Sequence, residues 1–259
     1  MWSSVEALIP RNYEYHPLGC HRPRSRDRLV FEAMLWRTAT GCTYDEIGQV
    51  FGVSSRTIRR RRDEWAAAGV FEGLFAEALA GYDKFVGLQL DDISIDGCIV
   101  KAPCGGEVAG KSPVDRGKRG TKRSIAVDAV GVPIAVVCAP ANTVDFKLLA
   151  ATLDQVELLD LPELASLHLD RGYDNRVTRE AVLSRGYDSH IATKKTAREV
   201  RSIKRWAVER TNAWHNNFGQ LQRSTDRTAL GVRVTALLAS VVIIVRKLVA
   251  RRERYLVAS

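Results

Sequence analysis

The apolar residues of this 259-residue chain change their period once, near residue 86, and that change bounds what it can fold into. Before it, residues 26–80 carry their apolar side chains at helical spacing. Leu29, Val30, Ala33, Met34 and Trp36 mark a first helix that Gly41 ends. Thr43, with Glu46 three residues on, reads as a capping box for a second helix bearing Ile47, Val50 and Phe51. Gly52-Val53-Ser54 makes a tight turn, and Ser54 or Ser55 caps a third helix. That helix runs through Arg56, Ile58, Arg59, Arg60, Arg61, Arg62 and Trp65 to about Ala68, where Gly69 terminates it.

After residue 86 the pattern is that of strands. Ile93 and Ile95 alternate with Ser94 and Asp96, and the run continues through Cys98, Ile99 and Val100. Residues 123–128 and 133–137 complete a meander of three strands. An amphipathic helix follows (Phe146 to Leu159), then a fourth strand ending at Asp170, a helix from Arg176 to Arg185 and a short fifth strand, His190 to Ala192. A long helix from about Thr196 to Asn217 and another from about Ala229 onward close the chain. This order is that of an α/β, ribonuclease-H-like domain: a mixed five-stranded sheet with flanking helices, expected over residues 86–259. A small helical domain over residues 1–80 precedes it, with a helix-turn-helix at about 43–68.

The net charge of +9 is uneven. Residues 1–80 hold 11 basic against 10 acidic side chains, residues 81–170 hold 9 against 13, and residues 171–259 hold 19 against 7. A polyanion such as nucleic acid is the natural partner of that last third. Two short helices around a glycine-bearing turn, the second dense in arginine, point the same way. Arg56, Arg59, Arg60 and Arg62 are therefore candidate DNA contacts, with Lys118, Arg119, Lys122, Lys194, Lys195, Arg198 and Arg201 beyond them.

Five cysteines, none in a Cys-x-x-Cys pair, indicate neither a disulfide framework nor a thiolate zinc site, and fit a reducing cytoplasm. His16, Cys20 and His21 lie close together but lack a second ligand pair. No basic start leads into an apolar signal core. The longest apolar run, Val234 to Val245, is shorter than the roughly 20 residues that span a bilayer. It reads as a buried helix, and no membrane partner is expected.

The chemistry rests on carboxylates. Asp96 lies within the first strand and Asp170 ends the fourth, and such a sheet makes these strands neighbours. Glu209 shares a polar stripe with Arg198, Arg205, Asn212 and Asn216 on the long helix, at spacings of three and four. Converging carboxylates without a His/Cys cage suit a hard divalent cation, Mg²⁺ or Mn²⁺. Two such ions stabilise the attacking and leaving oxygens of a phosphoryl displacement. Arg205, one turn before Glu209, can neutralise a phosphate oxygen or fix the glutamate. Asp91, Asp92 and Asp128 compete with Asp96 for the first position.

Four segments carry a resemblance: Asp92-Ile-Ser-Ile-Asp-Gly, the run from Lys122 to Pro133, Leu169-Asp-Arg-Gly-Tyr-Asp-Asn, and Arg205-Trp-Ala-Val-Glu-Arg-Thr-Asn-Ala-Trp-His. They resemble the IS-five family of insertion-sequence transposases, of the wider acidic-triad group, over nearly the whole chain. The resemblance implies that Asp96, Asp170 and Glu209 are the catalytic and metal-binding triad, flanked by Arg205 and Arg210. It implies metal-dependent hydrolysis at the element's terminal inverted repeats, 3′-hydroxyl strand transfer into target DNA, and at least a dimer in the working complex. The alternatives are a non-catalytic or domesticated DNA-binding protein, or a nuclease of the same fold. Family members often carry Leu where His215 stands, and His215 is expected at the surface or facing DNA.

Overall fold

The computed structural model describes residues 2–11, 24–192 and 206–258, with side chains through residue 251. Among the described residues, five helices precede the first strand: α1 (Trp2–Leu8), α2 (Asp27–Thr40), α3 (Tyr44–Phe51), α4 (Ser55–Ala67) and α5 (Val70–Val86). The caps fall where local chemistry places them. The Thr43 hydroxyl accepts from the Glu46 backbone N–H at 3.2 Å, while the Glu46 carboxylate accepts from the Thr43 N–H at 2.7 Å. Gly52 takes the left-handed conformation (φ 63°) that lets α3 stop and the chain turn. Ser54 then caps α4 by accepting from the Thr57 N–H at 3.1 Å.

The sheet contains β1 (Asp92–Lys101), β2 (Gly110–Lys111), β3 (Arg119–Val127), β4 (Pro133–Pro140), β5 (Ser166–Leu169) and β6 (Asp188–Ile191). Its order is β2-β3-β1-β5-β6, with β4 also paired to β3. β3 runs antiparallel to β1 and β4, whereas β1, β5 and β6 are mutually parallel. This is the ribonuclease-H-like arrangement, with one strand more than the five expected. The addition, β2, has two residues and sits in the polar loop that the sequence leaves unassigned. Helix α6 (Asp145–Val156) leads from β4 to β5. A 3₁₀ turn (Arg171–Tyr173) and α7 (Arg176–Ser184) lead from β5 to β6, and α8 (Trp206–Asn216), α9 (Gly219–Gln222) and α10 (Ala229–Ala258) complete the chain.

Helix α6 lies on β3 and β4, α8 lies on β1 and β3, and α10 packs along α5 and onto β4. β3 is consequently buried from Gly120 to Val127, with no alternation between faces. The apolar core is continuous: Phe31, Ile58, Trp65 and Phe71 of the helical region join Ile93, Ile125, Ile134 and Leu167 of the sheet. Burying each such side chain is worth about 1.5–3 kcal/mol. By length and composition, residues 229–251 of α10 could cross a membrane, but most of its apolar part is buried within the protein, as in a core helix.

A charged junction accompanies this core. Asp226, just before α10, accepts hydrogen bonds from Arg37 at 3.1 Å, Arg62 at 3.4 Å, Gln220 at 3.2 Å and Thr235 at 3.0 Å. Arg62 also donates to the Tyr44 hydroxyl at 2.7 Å and to Asp63 at 2.8 Å. This corrects the placement of Arg62 among the DNA contacts: its guanidinium is enclosed and its donors are taken inside the fold. Its neighbour Arg61 is fully buried against Asp27.

His215 is corrected too. It is fully buried, and its ring bridges the Thr211 carbonyl (3.0 Å) and the Ser240 hydroxyl (2.9 Å), so it ties α8 to α10. Burial, reinforced by the nearby Arg123 guanidinium, pulls its pKa down to about 3. The small residues Ala236, Ala239 and Ser240 on α10 leave room for the imidazole, and no surface role remains for it.

Candidate active site

Register places the two aspartates. Parallel pairing of β1 with β5 sets Ile95 opposite Leu169, so the next residue on each strand, Asp96 and Asp170, sits at the same level. Asp96 accepts from the Gly97 N–H at 2.8 Å, and Asp170 caps the 3₁₀ turn by accepting from the Arg171 N–H at 2.6 Å. Both are half-buried. Tyr173, at the end of that turn, is buried, and its pKa is raised first by burial and then by the charges of Asp145, Asp96 and Asp170.

Two competitors of Asp96 have other work. Asp92 meets His168 Nε2 at 2.7 Å, and His168 stacks on His190 with ring centroids 5.0 Å apart. Asp128 is fully buried and accepts the backbone N–H groups of Gln89, Val130 and Val132, which fixes the turn after β3. Asp91 is exposed at the opening of β1, away from the Asp96 level.

Glu209 stands in the first turn of α8 and is exposed. The polar stripe beneath it reaches the sheet. Asn216 accepts from Arg123 Nη2 of β3 at 2.7 Å, and Arg123 Nη1 donates to the Leu221 carbonyl at 3.1 Å. Buried Asn212 lies between them on the stripe. Arg123, which the sequence reading passed over, thus fixes the far end of the helix that carries Glu209.

Arg210 goes elsewhere. It donates to the Val130 carbonyl at 2.7 Å and stacks between Trp206 (4.6 Å) and Trp214 (5.0 Å). These residues line a groove of about 710 Å³ with Arg246, Lys247 and Arg251. Arg210 therefore faces that groove rather than the aspartates. Arg56, Arg59 and Arg60 are exposed along α4, with Arg59 over the Tyr44 ring at 4.6 Å. Lys118 and Arg119 are exposed and line a second basic groove with Lys101 and Arg223.

Lys122 is corrected as a DNA contact: it is buried, and its ammonium meets the Asp145 carboxylate at 2.9 Å. Both faces of β3 are covered, so strand alternation does not bring Lys122 to solvent. Asp145 was missed because an acidic residue in the first turn of a helix reads as an ordinary partner of the helix dipole. Arg205, Lys194, Lys195, Arg198 and Arg201 lie outside the described residues, as do His16, Cys20 and His21.

The donor set at the strand ends is carboxylate oxygen, which suits a hard divalent cation. Among the described residues no group of three or more His, Cys, Asp or Glu side chains is gathered closely enough to hold a metal ion. Such ions are commonly bound through one or two carboxylates plus substrate phosphate rather than in all-protein cages, so the pair Asp96 and Asp170 fits.

Comparison with known proteins then decides the family. The description "Transposase DDE domain" matches residues 88–244, and "Putative transposase of IS4/5 family" matches residues 1–75. The chain belongs to the DDE transposase family. A curated relative of this DDE chain, "Putative transposase for insertion sequence element IS402" from Burkholderia cepacia, is 34% identical over 127 residues. The matched stretch covers 46% of this chain and 60% of that protein's length. Among solved structures, a Mos1 transposase paired-end complex with the left transposon end matches 89% of this chain and 82% of that one, at 15% identity and a TM-score of 0.30. The Mos1 strand transfer complex matches 90% and 81% at 14% identity, also at 0.30. At those scores the likeness is distant.

Proposed function

We propose that this chain is a DNA transposase that binds the terminal inverted repeats of an insertion sequence, hydrolyses the phosphodiester at the element end, and joins the freed 3′-hydroxyl to target DNA. The supporting observation is the β1–β5 register, which sets Asp96 and Asp170 level on adjacent strands. Mg²⁺ or Mn²⁺, as a pair of ions held by Asp96, Asp170 and Glu209, would activate the attacking water and neutralise charge on the scissile phosphate.

The chain's own residues do the rest. The Gly97 and Arg171 N–H groups each hold one carboxylate oxygen of Asp96 and Asp170, which fixes the direction of the other. The Arg123–Asn216 bond and the His215–Ser240 bond fix α8, and so the base from which Glu209 reaches. Arg56, Arg59 and Arg60 on α4, with Lys118 and Arg119 beside the sheet, are placed to meet phosphates, whose contacts supply most of the affinity for DNA. In functional terms the helices up to Val86 serve the element ends and the sheet onward serves the chemistry. Cleavage at paired ends calls for at least a dimer.

Purified protein incubated with end DNA and Mg²⁺ or Mn²⁺ tests the proposal. Cleavage and joining are expected, and Asp170→Asn or Glu209→Gln should lower both by about 100–1000-fold, the scale for losing one transition-state stabiliser. Unchanged rates in either variant would overturn the triad. Binding without nicking by wild type would mark a DNA-binding regulator, and nicking without joining a nuclease.

A further inference from the structure

The Lys122–Asp145 pair lies against the two aspartates rather than apart from them. Asp145 opens α6, yet its carboxylate leans over Gly97, the residue after Asp96. A Cβ built on Gly97 would fall 2.0 Å from Asp145 Oδ1, 3.0 Å from its Cγ and 3.7 Å from Lys122 Cδ. On the other side, a Cβ on Gly172, in the turn that Asp170 caps, would stand 3.9 Å from Asp145 Oδ2. Asp145 is also the first of the three carboxylates whose charge acts on the buried Tyr173 hydroxyl, ahead of Asp96 and Asp170. One carboxylate thus bridges the Asp96–Gly97 corner of β1 and the Asp170–Tyr173 turn. Lys122, buried on the neighbouring strand β3, holds it there at 2.9 Å.

We propose that Asp145, anchored by Lys122, is a positioning residue of the active site: it seats the Asp96–Gly97 corner and the Asp170 turn against each other, so that both aspartates present their oxygens to one cation. Gly97 is glycine because the Asp145 carboxylate occupies the space of a side chain. The anchor matters because the ion pair at 2.9 Å, enclosed on the Lys122 side, holds the Asp145 carboxylate in its place over Gly97. This rests on the metal-binding reading of Asp96 and Asp170, and groups that orient metal ligands cost about 10–100-fold in metal affinity when removed.

The test is Mn²⁺ binding to the full chain without DNA, followed by the paramagnetic signal of the free ion, together with thermal melts. Asp145→Asn, which keeps the shape and removes the charge, should weaken Mn²⁺ binding about tenfold or more at an unchanged melting temperature. Gly97→Ala should weaken it comparably, because the new methyl group displaces the same carboxylate. In an Asp145→Ala background, where that space is open, adding Gly97→Ala should cost nothing further. Should Asp145→Ala not fold, the Asp145→Asn and Gly97→Ala singles still decide the matter. Unchanged Mn²⁺ binding in Asp145→Asn, or fully additive losses in the double variant, overturns the proposal. Asp170→Asn is the control: if it too leaves Mn²⁺ binding unchanged, the metal-site reading falls and this inference with it. If Asp170→Asn weakens binding and Asp145→Asn does not, only the inference falls.

Discussion

Asp226 and Asp170 are both aspartates just outside regular structure, and they are treated in opposite ways. Asp226 is 2% exposed and is answered from four sides by Arg37, Arg62, Gln220 and Thr235. Asp170 is half-buried, accepts a backbone N–H at the start of the 3₁₀ turn, and stands level with Asp96 on the adjacent strand. Carboxylates level on adjacent strands are the kind of oxygen ligand that a hard divalent cation takes. The difference separates two uses of one residue type: the partners of Asp226 are enclosed side chains that hold elements together, while Asp170 stands half-buried at a strand end, level with Asp96 on the adjacent strand.

The two aspartates should differ most in what they contribute to stability. Removing one partner of a buried ion pair leaves the others uncompensated and costs about 3–5 kcal/mol. Asp226→Ala should therefore destabilise by that amount in urea unfolding, with Arg37 and Arg62 both stranded. Asp170→Asn, a change of the same shape at a half-buried position whose side-chain oxygen can still cap the turn, should lie within about 0.5 kcal/mol of wild type. If the two variants unfold at the same urea concentration, the distinction between them is wrong.

His215, unlike either aspartate, is a group that is enclosed and kept neutral. Its pKa in the fold is about 3, against the ordinary 6.5 expected when unfolded. The contribution is complete above about pH 6.5. As pH falls below that value the unfolded chain takes up a proton that the folded chain refuses, and stability drops by about 1.4 kcal/mol per pH unit until the folded pKa is reached. Unfolding of wild type and His215→Gln between pH 7 and pH 4 checks this. The variant should lack one proton's worth of slope, and parallel pH profiles would show that His215 is not excluded from protonation.

The sequence made the elements legible because their signals are local. The Thr43–Glu46 box, the Gly52 turn and the Ile93/Ile95 alternation each act within a few residues, and each is where the periodicity places it. Asp96 and Asp170 were legible as strand positions for the same reason. What escaped depends on chain that is distant in sequence. Arg37 meets Asp226 across 189 positions and Arg62 meets it across 164, so nothing near either arginine marks it as enclosed. Lys122 looked like a surface lysine because a strand is expected to alternate, but β3 is covered on both faces by helices that come later in the chain. Asp145 carried no local mark, since its partners Lys122 and Gly97 belong to other strands. His215 was misplaced because the small residues that receive it are on α10.

The same division between enclosed and exposed charge runs through a single helix. α4 presents Arg56, Arg59 and Arg60 to solvent, while Arg61 and Arg62 turn inward to Asp27 and Asp226. Each phosphate contact releases counterions, so losing one should reduce the slope of log K against log salt by about 0.9 for duplex DNA. Arg59→Ala and Arg60→Ala should each show that reduced slope on element-end DNA, with unfolding unchanged. Arg62→Ala should do the reverse, lowering stability while leaving the salt slope of the remaining folded protein as it was. Salt titrations from about 50 to 200 mM, in the range where such contacts change affinity steeply, separate the two. A slope change in Arg62→Ala at full stability would place that guanidinium on DNA after all, and would mean that the Asp226 junction opens when the chain binds its ends.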